Sequence, residues 1–178
     1  TISFLLFTVS TLFLLYHKDK ENTKEFIEPL KDLPVENIIV QKRFLSRPEF
    51  YALKGEIPES GIASEQGLNF NLNFGTSQNI GFFLDMATGR EWLLQNSKNK
   101  KVLNLFSYTC SLSVAALKGG ATEVVNVDMS KAALRVGEEN HRLNNMNLKN
   151  VKFFSYDIMK SWNALFRNGP YDIIVIDP

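Results

Sequence analysis

Cysteine and histidine are nearly absent from this chain of 178 residues, which contains one cysteine, Cys110, and two histidines, His17 and His141. A single thiol excludes an internal disulfide framework and a multi-cysteine zinc site, and two histidines argue against a His-rich metal centre. We therefore expect no bound metal. A free thiol is typical of a reducing compartment, which predicts a cytoplasmic protein.

An excess of charge of one sign is also missing. The sequence has 20 Lys and Arg residues against 19 Asp and Glu residues, a formal charge of +1. Because a near-neutral total exerts no long-range attraction on a polyanion, contact with a nucleic acid would need a local patch. The 44% hydrophobic and 12% aromatic content predicts a chain with a buried core.

No hydrophobic run is long enough to cross a bilayer as a helix. Residues 2–16 are largely apolar, but they fall short of the roughly 20 residues that a transmembrane helix needs. They also lack a basic leader and a small-residue cleavage site. We favour a buried strand pair or a core helix here over a membrane or signal segment, and we expect no membrane contact.

Residues 1–66 are predicted to form a small α+β appendage. A charged break at 17–24 precedes a short amphipathic helix at 25–31 and a strand at 37–40. Residues 43–61 contain several Pro and Gly residues, and we interpret them as a loop or an irregular hairpin.

Apolar and polar residues alternate strictly at 68–74, which predicts a half-buried strand. Polar residues end this strand, and a second apolar run follows at 80–84. We interpret residues 67–88 as a β-hairpin that opens the second domain.

From about Gly89 the sequence alternates helices with strands that are apolar on both faces. This pattern predicts a Rossmann-like, doubly wound α/β domain at 67–178, with the first four strands of its parallel sheet present. Since the chain starts without Met and stops directly after a strand, we expect it to be a fragment of a longer protein, cut at both ends. The predicted strands are 102–106, 123–127, 151–154 and 172–176, and the predicted helices are 90–95, 111–118 and 130–146.

Ligands of such sheets bind at the carboxyl ends of the strands. Asp128, Asp157 and Asp177 each lie just beyond a predicted strand. Asp128 follows Asn104 by 24 residues, which suits a carboxylate that accepts hydrogen bonds from ribose hydroxyls, with a helix-cap role as the alternative. For Asp157 the alternative is an ordinary turn residue.

The first strand-to-helix turn, residues 107–111, contains no glycine. A dinucleotide needs glycines there so that the backbone can approach its pyrophosphate, and the sequence has no phosphate-binding P-loop. A cofactor with a ribose but no phosphate suits this turn better. A nicotinamide-dependent oxidoreductase is kept as the weaker alternative.

Four motifs, at 78–85 with Arg90, at 102–109, at 127–130 and at 171–178, resemble those of the class I S-adenosylmethionine-dependent methyltransferases. Among these, the chain is similar to the ribosomal-RNA large-subunit methyltransferases that modify cytosine C5 or guanine N7. The resemblance implies S-adenosylmethionine as cofactor and transfer of a methyl group to a base of RNA, foremost large-subunit rRNA. It also implies that the appendage takes part in RNA recognition.

The same resemblance implies the roles of individual residues. Asp177 and Pro178 begin the family's Asp-Pro-Pro motif beside the methyl-transfer site. Asp128 holds the ribose, Met129 and Ile158 face the adenine, and Asp157 accepts from its amine. The remaining implied cofactor-binding residues are Asn104, Phe106, Ser107, Tyr108 and Thr109 at the methionine part, Phe83, Asp85 and Arg90 closing over the cofactor, and Ser130. For Arg90, a structural ion pair is left open as the alternative.

Cys110 departs from the family, which usually places Gly at this position. If the backbone there needs a positive φ, a side chain would crowd the cofactor. Since Cys110 lies outside any motif for a cysteine nucleophile, we interpret it as a small buried residue.

The alternative function from a different class is a non-catalytic module that binds the cofactor or RNA. The sequence does not predict the oligomeric state.

Overall fold

The computed structural model describes residues 2–8, 11–16, 27–42, 49–74 and 79–178. The predicted charged break at 17–24, the start of the predicted helix at 25–31 and the motif residue Gln78 lie outside these ranges. The chain forms two compact units, which are described separately. The first comprises Thr1–Ser64 and Leu72–Ile80, and the second comprises Glu65–Asn71 and Gly81–Pro178.

The first unit contains a four-stranded mixed sheet, and its strands follow the order β1-β2-β3-β4. β1 and β2 are antiparallel, β2 and β3 are parallel, and β3 and β4 are antiparallel. Of the strand pair and the core helix expected at 2–16, the strand pair is observed, as β1 and β2. The strands are β1 (Ile2–Thr8), β2 (Thr11–Tyr16), β3 (Asn37–Lys42) and β4 (Glu49–Lys54).

A short 3-10 helix at Glu28–Asp32 stands where the helix at 25–31 was predicted. Beside it, Ile27, Ile38 and Val40 form a small buried cluster. Burial of these aliphatic side chains attaches the segment before β3 to the sheet.

The loop or irregular hairpin predicted at 43–61 is wrong where the structure describes it, because β4 and the start of β5 (Ser60–Glu65) occupy part of this region and belong to different sheets. β4 is the last strand of its sheet and is largely exposed. Because the side chains of β4 are largely exposed, the strand carries no continuous apolar run that a sequence pattern would detect.

The hairpin predicted at 67–88 is also wrong. β6 (Leu68–Asn73) pairs with the preceding strand β5, and residues 79–83 form no strand. Gln66 and Gly67 connect the two strands with φ values of 51° and 74°. Two consecutive positive φ values are typical of the type I′ turn, whose twist suits a two-residue hairpin.

The second unit is built on a four-stranded sheet whose strands are all parallel and follow the order β10-β7-β8-β9. The chain moves outward from β7 to β9 and returns to the other side of β7 with β10. The predicted α/β, Rossmann-like fold is therefore confirmed. The strands are β7 (Lys101–Leu105), β8 (Glu123–Asp128), β9 (Val151–Ser155) and β10 (Ile173–Ile176).

Helices cover the sheet, as its apolar strands predicted, although the last of the four helices was not itself predicted. They are α1 (Ala87–Asn96), α2 (Ser111–Lys118), α3 (Lys131–Leu143) and α4 (Trp162–Arg167). On one face, Leu103, Leu105, Val125 and Val127 pack with Leu165 of α4. Among the residues that the structure describes, no helix combines the length and the apolar character that crossing a membrane requires.

Because α3 packs closely against Cys110, we can predict how a larger residue at Gly137 changes the stability of the protein. Alanine in place of a mid-helix glycine normally stabilises a helix by about 0.5–1 kcal/mol. At Gly137, however, an added Cβ would lie 2.5 Å from Cys110 Sγ and 3.0 Å from Cys110 Cβ. We expect Gly137→Ala to lower the free energy of unfolding by about 1–3 kcal/mol, measured by urea denaturation. Adding Cys110→Gly should restore it, whereas a stabilised Gly137→Ala protein would contradict this packing.

Candidate functional site

The ends of the four parallel strands bring the sequence-predicted site residues to one edge of the sheet. The turn at 106–110 follows β7, Asp128 ends β8, Asp157 lies two residues beyond β9, and Asp177 directly follows β10. Because β7 and β10 are adjacent while their connections run to opposite sides, the topological switch point lies between them.

The turn after β7 has an unusual backbone. Phe106, Tyr108 and Cys110 have φ values of 55°, 46° and 61°, so three non-glycine residues within five adopt the left-handed region. Each such residue costs roughly 1–2 kcal/mol relative to the right-handed region. Strain of this kind persists only where surrounding contacts enforce it, and it is concentrated at functional sites.

Hydrogen bonds from the neighbouring strand hold this turn in place. Ser107 N donates to Val127 O at 3.0 Å, and Tyr108 N donates to Asp128 Oδ2 at 2.8 Å. Within the turn, Cys110 N donates to Ser107 O at 2.7 Å. The end of β8 therefore sets the shape of the loop after β7.

Asp128 links both strand-to-helix connections. Its Oδ2 accepts from Tyr108 N, and its Oδ1 accepts from Ser130 N at 2.7 Å. Ser130 in turn caps α3, because its Oγ accepts from Ala133 N at 3.2 Å. Each carboxylate oxygen keeps a second lone pair, so the capping arrangement leaves Asp128 able to accept from two further donors.

Cys110 is fully buried, as expected of a small packing residue. Burial raises the pKa of its thiol far above the usual range, which removes the thiolate that a nucleophile needs. Its φ is positive, the condition under which a side chain was expected to crowd a cofactor. The thiol lies against Gly137 of α3, in the protein interior rather than on the exposed rim of the turn.

Arg90 forms the structural ion pair that the sequence left open. Its side chain is 0% exposed, and it pairs with Glu65 through Nε and through Nη2, the latter at 2.8 Å. Its Nη1 donates to Phe83 O at 2.8 Å. The direct cofactor contact implied for Arg90 is therefore corrected, because the buried guanidinium is occupied by protein acceptors.

The segment that contains Phe83 is fixed at several points. Thr109 Oγ1 donates to Gly81 O at 2.6 Å, and the Arg90 guanidinium lies 4.2 Å from the centroid of the Phe82 ring. The ring centroids of Phe83 and Tyr108 are 5.3 Å apart. These contacts hold the segment beside the turn after β7, while Asp85 is exposed on the following 3-10 helix, Leu84–Met86.

Asn104 does not line the edge of the sheet. It is 1% exposed, and its Nδ2 donates to Asn126 Oδ1 at 3.1 Å. Since Leu103 and Leu105 face the α4 side, the side chain between them points to the opposite face. Asn104 thus lies inside the sheet, two residues before the turn, and the methionine contact implied for it stays a prediction.

A buried chain of hydrogen bonds continues from Asn126 to α3. Asn126 Nδ2 donates to Ser113 Oγ at 3.1 Å, and Ser113 Oγ lies 2.9 Å from His141 Nε2. His141 Nδ1 lies 2.6 Å from Gly137 O, which can only accept. A neutral His141 therefore carries its proton on Nδ1, and Ser113 Oγ donates to His141 Nε2. These roles determine which side-chain amide atoms of Asn126 and Asn104 donate and which accept. Asn104 Oδ1 ends the chain without a partner among the described residues.

The residues after β8 and β9 differ sharply in exposure. Met129 is 70% exposed, whereas Ile158 is 3% exposed and belongs to the core cluster with Leu165. The adenine contact implied for Ile158 stays a prediction. Asp157 Oδ1 accepts from Met159 N at 3.0 Å, and its Oδ2 pairs with Lys160 at 3.2 Å, which is the turn role left open for it.

Several structurally important partners were missed by sequence reasoning. Glu65, Ser113, Asn126 and His141 hold predicted site residues in place but lie outside the four motifs. Hairpin chemistry at Gln66 and Gly67 is the signal that could have placed Glu65 near α1. Nothing in the sequence pattern identifies the other three.

Because the buried guanidinium of Arg90 depends on Glu65 for its counter-charge, removing that carboxylate should lower the stability of the protein strongly. Glu65→Gln leaves a guanidinium that is 0% exposed without a counter-charge, and we expect the free energy of unfolding to fall by about 3 kcal/mol. The matched control is Glu138→Gln, whose partner Arg142 is exposed and whose loss should cost less than about 0.5 kcal/mol. Equal losses in urea denaturation would contradict the assignment.

Burial of His141 predicts a dependence of stability on pH. Desolvation lowers the pKa of His141 below its ordinary value of 6.5, although the Gly137 carbonyl and Glu138 oppose the shift. Below that ordinary pKa the unfolded chain binds more protons than the folded chain. The contribution of His141 to the free energy of unfolding is therefore complete above that pH and is lost as the pH falls. The loss between about pH 7.5 and about pH 5.5 should be smaller in His141→Gln than in the unsubstituted protein. An unchanged loss in urea titrations would show that His141 does not contribute.

Comparison with known proteins identifies relatives of this chain. The family model for S-adenosylmethionine-dependent methyltransferases matches residues 34–178. A relative from Aeromonas salmonicida, named ribosomal RNA large subunit methyltransferase I, is 34% identical over 144 residues, covering 80% of this chain and 36% of its own length. A Shewanella protein named ribosomal RNA large subunit methyltransferase K/L is 42% identical over 120 residues, covering 66% of this chain and 17% of its own length.

Solved structures share the fold. A methyltransferase complexed with SAH has a TM-score of 0.84 at 27% identity, over 94% of this chain and 45% of the other. A SAM-dependent methyltransferase from Streptococcus mutans has a TM-score of 0.81 at 28% identity, over 93% of this chain and 46% of the other. The chain spans about a third or less of the two curated relatives described and under half of these two solved chains. With a family match over most of its length, and with the parallel sheet and motifs that the sequence indicated, the chain belongs to the S-adenosylmethionine-dependent methyltransferase family.

Proposed function

We propose that this chain carries the S-adenosylmethionine site of an enzyme that methylates a base of RNA, foremost large-subunit ribosomal RNA. The observation that carries the proposal is the Asp128 carboxylate, which two backbone amides orient at the end of β8 beside a glycine-free, strained turn. A carboxylate in this place suits the two hydroxyls of a ribose. The turn, in contrast, offers no approach for a pyrophosphate, so nothing here favours a nicotinamide cofactor.

The residues present fit the parts of S-adenosylmethionine. Asp128 would hold the ribose, and the exposed thioether side chain of Met129 would cover one face of the adenine. Ser130 would contribute beside Asp128, and Asp157 would accept from the adenine amine with its free lone pairs. The turn of Phe106, Ser107, Tyr108 and Thr109 would hold the methionine part, with Phe83 and Asp85 closing over it.

Residues after β10 are proposed to place the acceptor base. Bound S-adenosylmethionine supplies a methyl group on a positively charged sulfur, so the protein needs chiefly to align the base with that group. Asp177 and Pro178 are exposed and directly follow β10, next to the switch point. They would position the base there as the catalytic residues of this chain.

An RNA substrate is supported by the relatives rather than by charge. Curated relatives are named as methyltransferases of ribosomal RNA, and two of them match 80% and 66% of this chain. The formal charge is +1, so RNA binding would depend on local surfaces. Residues 1–66 are proposed to contribute such a surface, and residues 67–178 to hold the cofactor. Ribosomal RNA and the reduced Cys110 agree with a cytoplasmic protein.

Methyl transfer to rRNA tests the proposal. The intact protein, incubated with isotope-labelled S-adenosylmethionine and unmodified total rRNA, should place label in a methylated base identified by mass spectrometry. Asp128→Asn should weaken S-adenosylhomocysteine binding roughly 10- to 100-fold in calorimetry, since a bond to a charged acceptor contributes about 1.5–3 kcal/mol. Glu138→Gln, an exposed carboxylate on α3, is the matched control and should leave binding unchanged. Absence of both binding and transfer in the unsubstituted protein would overturn the proposal.

A further inference from the structure

Strand order determines where the sulfur of a bound S-adenosylmethionine would lie, an inference that rests on the proposed function. Asp128 ends β8, where the ribose is proposed to bind, and Asp177 follows β10, where the base is proposed to lie. β7 lies between β10 and β8 in the sheet. Because the sulfur connects the ribose side of the cofactor to the transferable methyl group, its place is over the carboxyl end of β7.

Aromatic side chains surround that end of β7. Phe106 directly follows the strand and is 39% exposed, and Phe83 is 37% exposed. The Phe83 and Tyr108 rings lie 5.3 Å apart at an interplanar angle of 55°, so they form a tilted pair beside the turn. We propose that this Phe83–Tyr108 pair recognises the positive charge of the sulfonium, so that the site prefers S-adenosylmethionine to its neutral product, S-adenosylhomocysteine.

The preference follows from how the charge changes during the reaction. When the methyl carbon bonds to the base, the S–C bond breaks and its electron pair stays on sulfur, so the sulfonium becomes a neutral thioether. The face of an aromatic ring attracts a cation but has no such attraction for a thioether. The ring pair would therefore hold the substrate form of the cofactor and release the product form more readily.

The protein fixes Phe83 before any ligand arrives. Arg90 Nη1 holds the carbonyl of Phe83, and Thr109 Oγ1 holds the carbonyl of Gly81 at 2.6 Å. Glu65 pairs with Arg90, so the buried guanidinium charge close to Phe83 is compensated. Because the backbone that carries the ring is positioned in advance, ligand binding need not order this segment, which favours a specific cation contact over incidental exposure.

Ligands that differ at the sulfur position test the inference directly. Dissociation constants of S-adenosylmethionine, S-adenosylhomocysteine and sinefungin, in which a carbon bearing an ammonium replaces the sulfonium, are measured by calorimetry on the intact protein. Phe83→Leu should weaken both cationic ligands roughly three- to tenfold, the range of a partly desolvated cation–ring contact, and change the neutral ligand less than about twofold. Phe83→Tyr should keep the preference. The matched control Phe166→Leu, 75% exposed on α4, should leave all three constants unchanged.

The results that would overturn this inference differ from the result that would overturn the proposed function. Equal weakening of all three ligands by Phe83→Leu would make the ring an apolar wall and overturn the inference, as would no change at all. A loss of the cation preference in Asp85→Asn but not in Phe83→Leu would assign charge recognition to the carboxylate and also overturn it. Failure of the unsubstituted protein to bind any of the three would instead overturn the proposed function on which the inference rests.

Discussion

The hydrogen bond from Tyr108 N to the Asp128 carboxylate is the contact on which the candidate site depends. The turn after β7 places three non-glycine residues in the left-handed region, a backbone that would relax without an external constraint. Asp128 supplies that constraint and orients its own oxygens at the same time, because Ser130 N occupies the other side of the carboxylate. One side chain thus connects the ends of two adjacent strands and presents free lone pairs at the edge where they meet.

Two sets of buried polar contacts support this edge of the sheet. Beneath the turn, the hydrogen-bonded chain from Asn104 through Asn126 and Ser113 to His141 links β7, β8, α2 and α3. Beside the turn, the Glu65–Arg90 pair holds the segment that contains Phe83. Buried polar groups are costly unless they are paired, so both sets of contacts favour one arrangement of the strand ends over looser alternatives. A rigid edge of this kind suits an enzyme that works mainly by positioning two reactants.

Periodicity and caps predicted the second unit well because its elements are regular. The helix expected at 111–118 is observed at those bounds, and the four parallel strands begin and end within one residue of expectation. The exposed strand β4 was missed because it carries no apolar period, whereas the strand predicted at 68–74 is observed as β6. Its pairing with β5 was missed, although Gln66 and Gly67 form the turn between the two strands. The pattern of apolar residues predicts a strand or helix best where both faces of that element are buried.

Side-chain direction and distant partners account for the remaining differences at the site. Asn104, Arg90 and Ile158 occupy the expected positions along the chain, but their side chains are buried in the protein. The direct partner of Asn104 lies 22 positions away and that of Arg90 lies 25 positions away, and no motif records such pairings. Asp128 and the turn were identified correctly as neighbours because parallel topology alone brings the strand ends together.

A crystal structure of the intact protein with S-adenosylhomocysteine tests the central claim most directly. The account predicts that both ribose hydroxyls donate to the Asp128 carboxylate while the bonds from Tyr108 N and Ser130 N persist, with the left-handed turn unchanged. A ribose bound at any other edge of the sheet, or an Asp128 carboxylate turned away from the ligand, would contradict it.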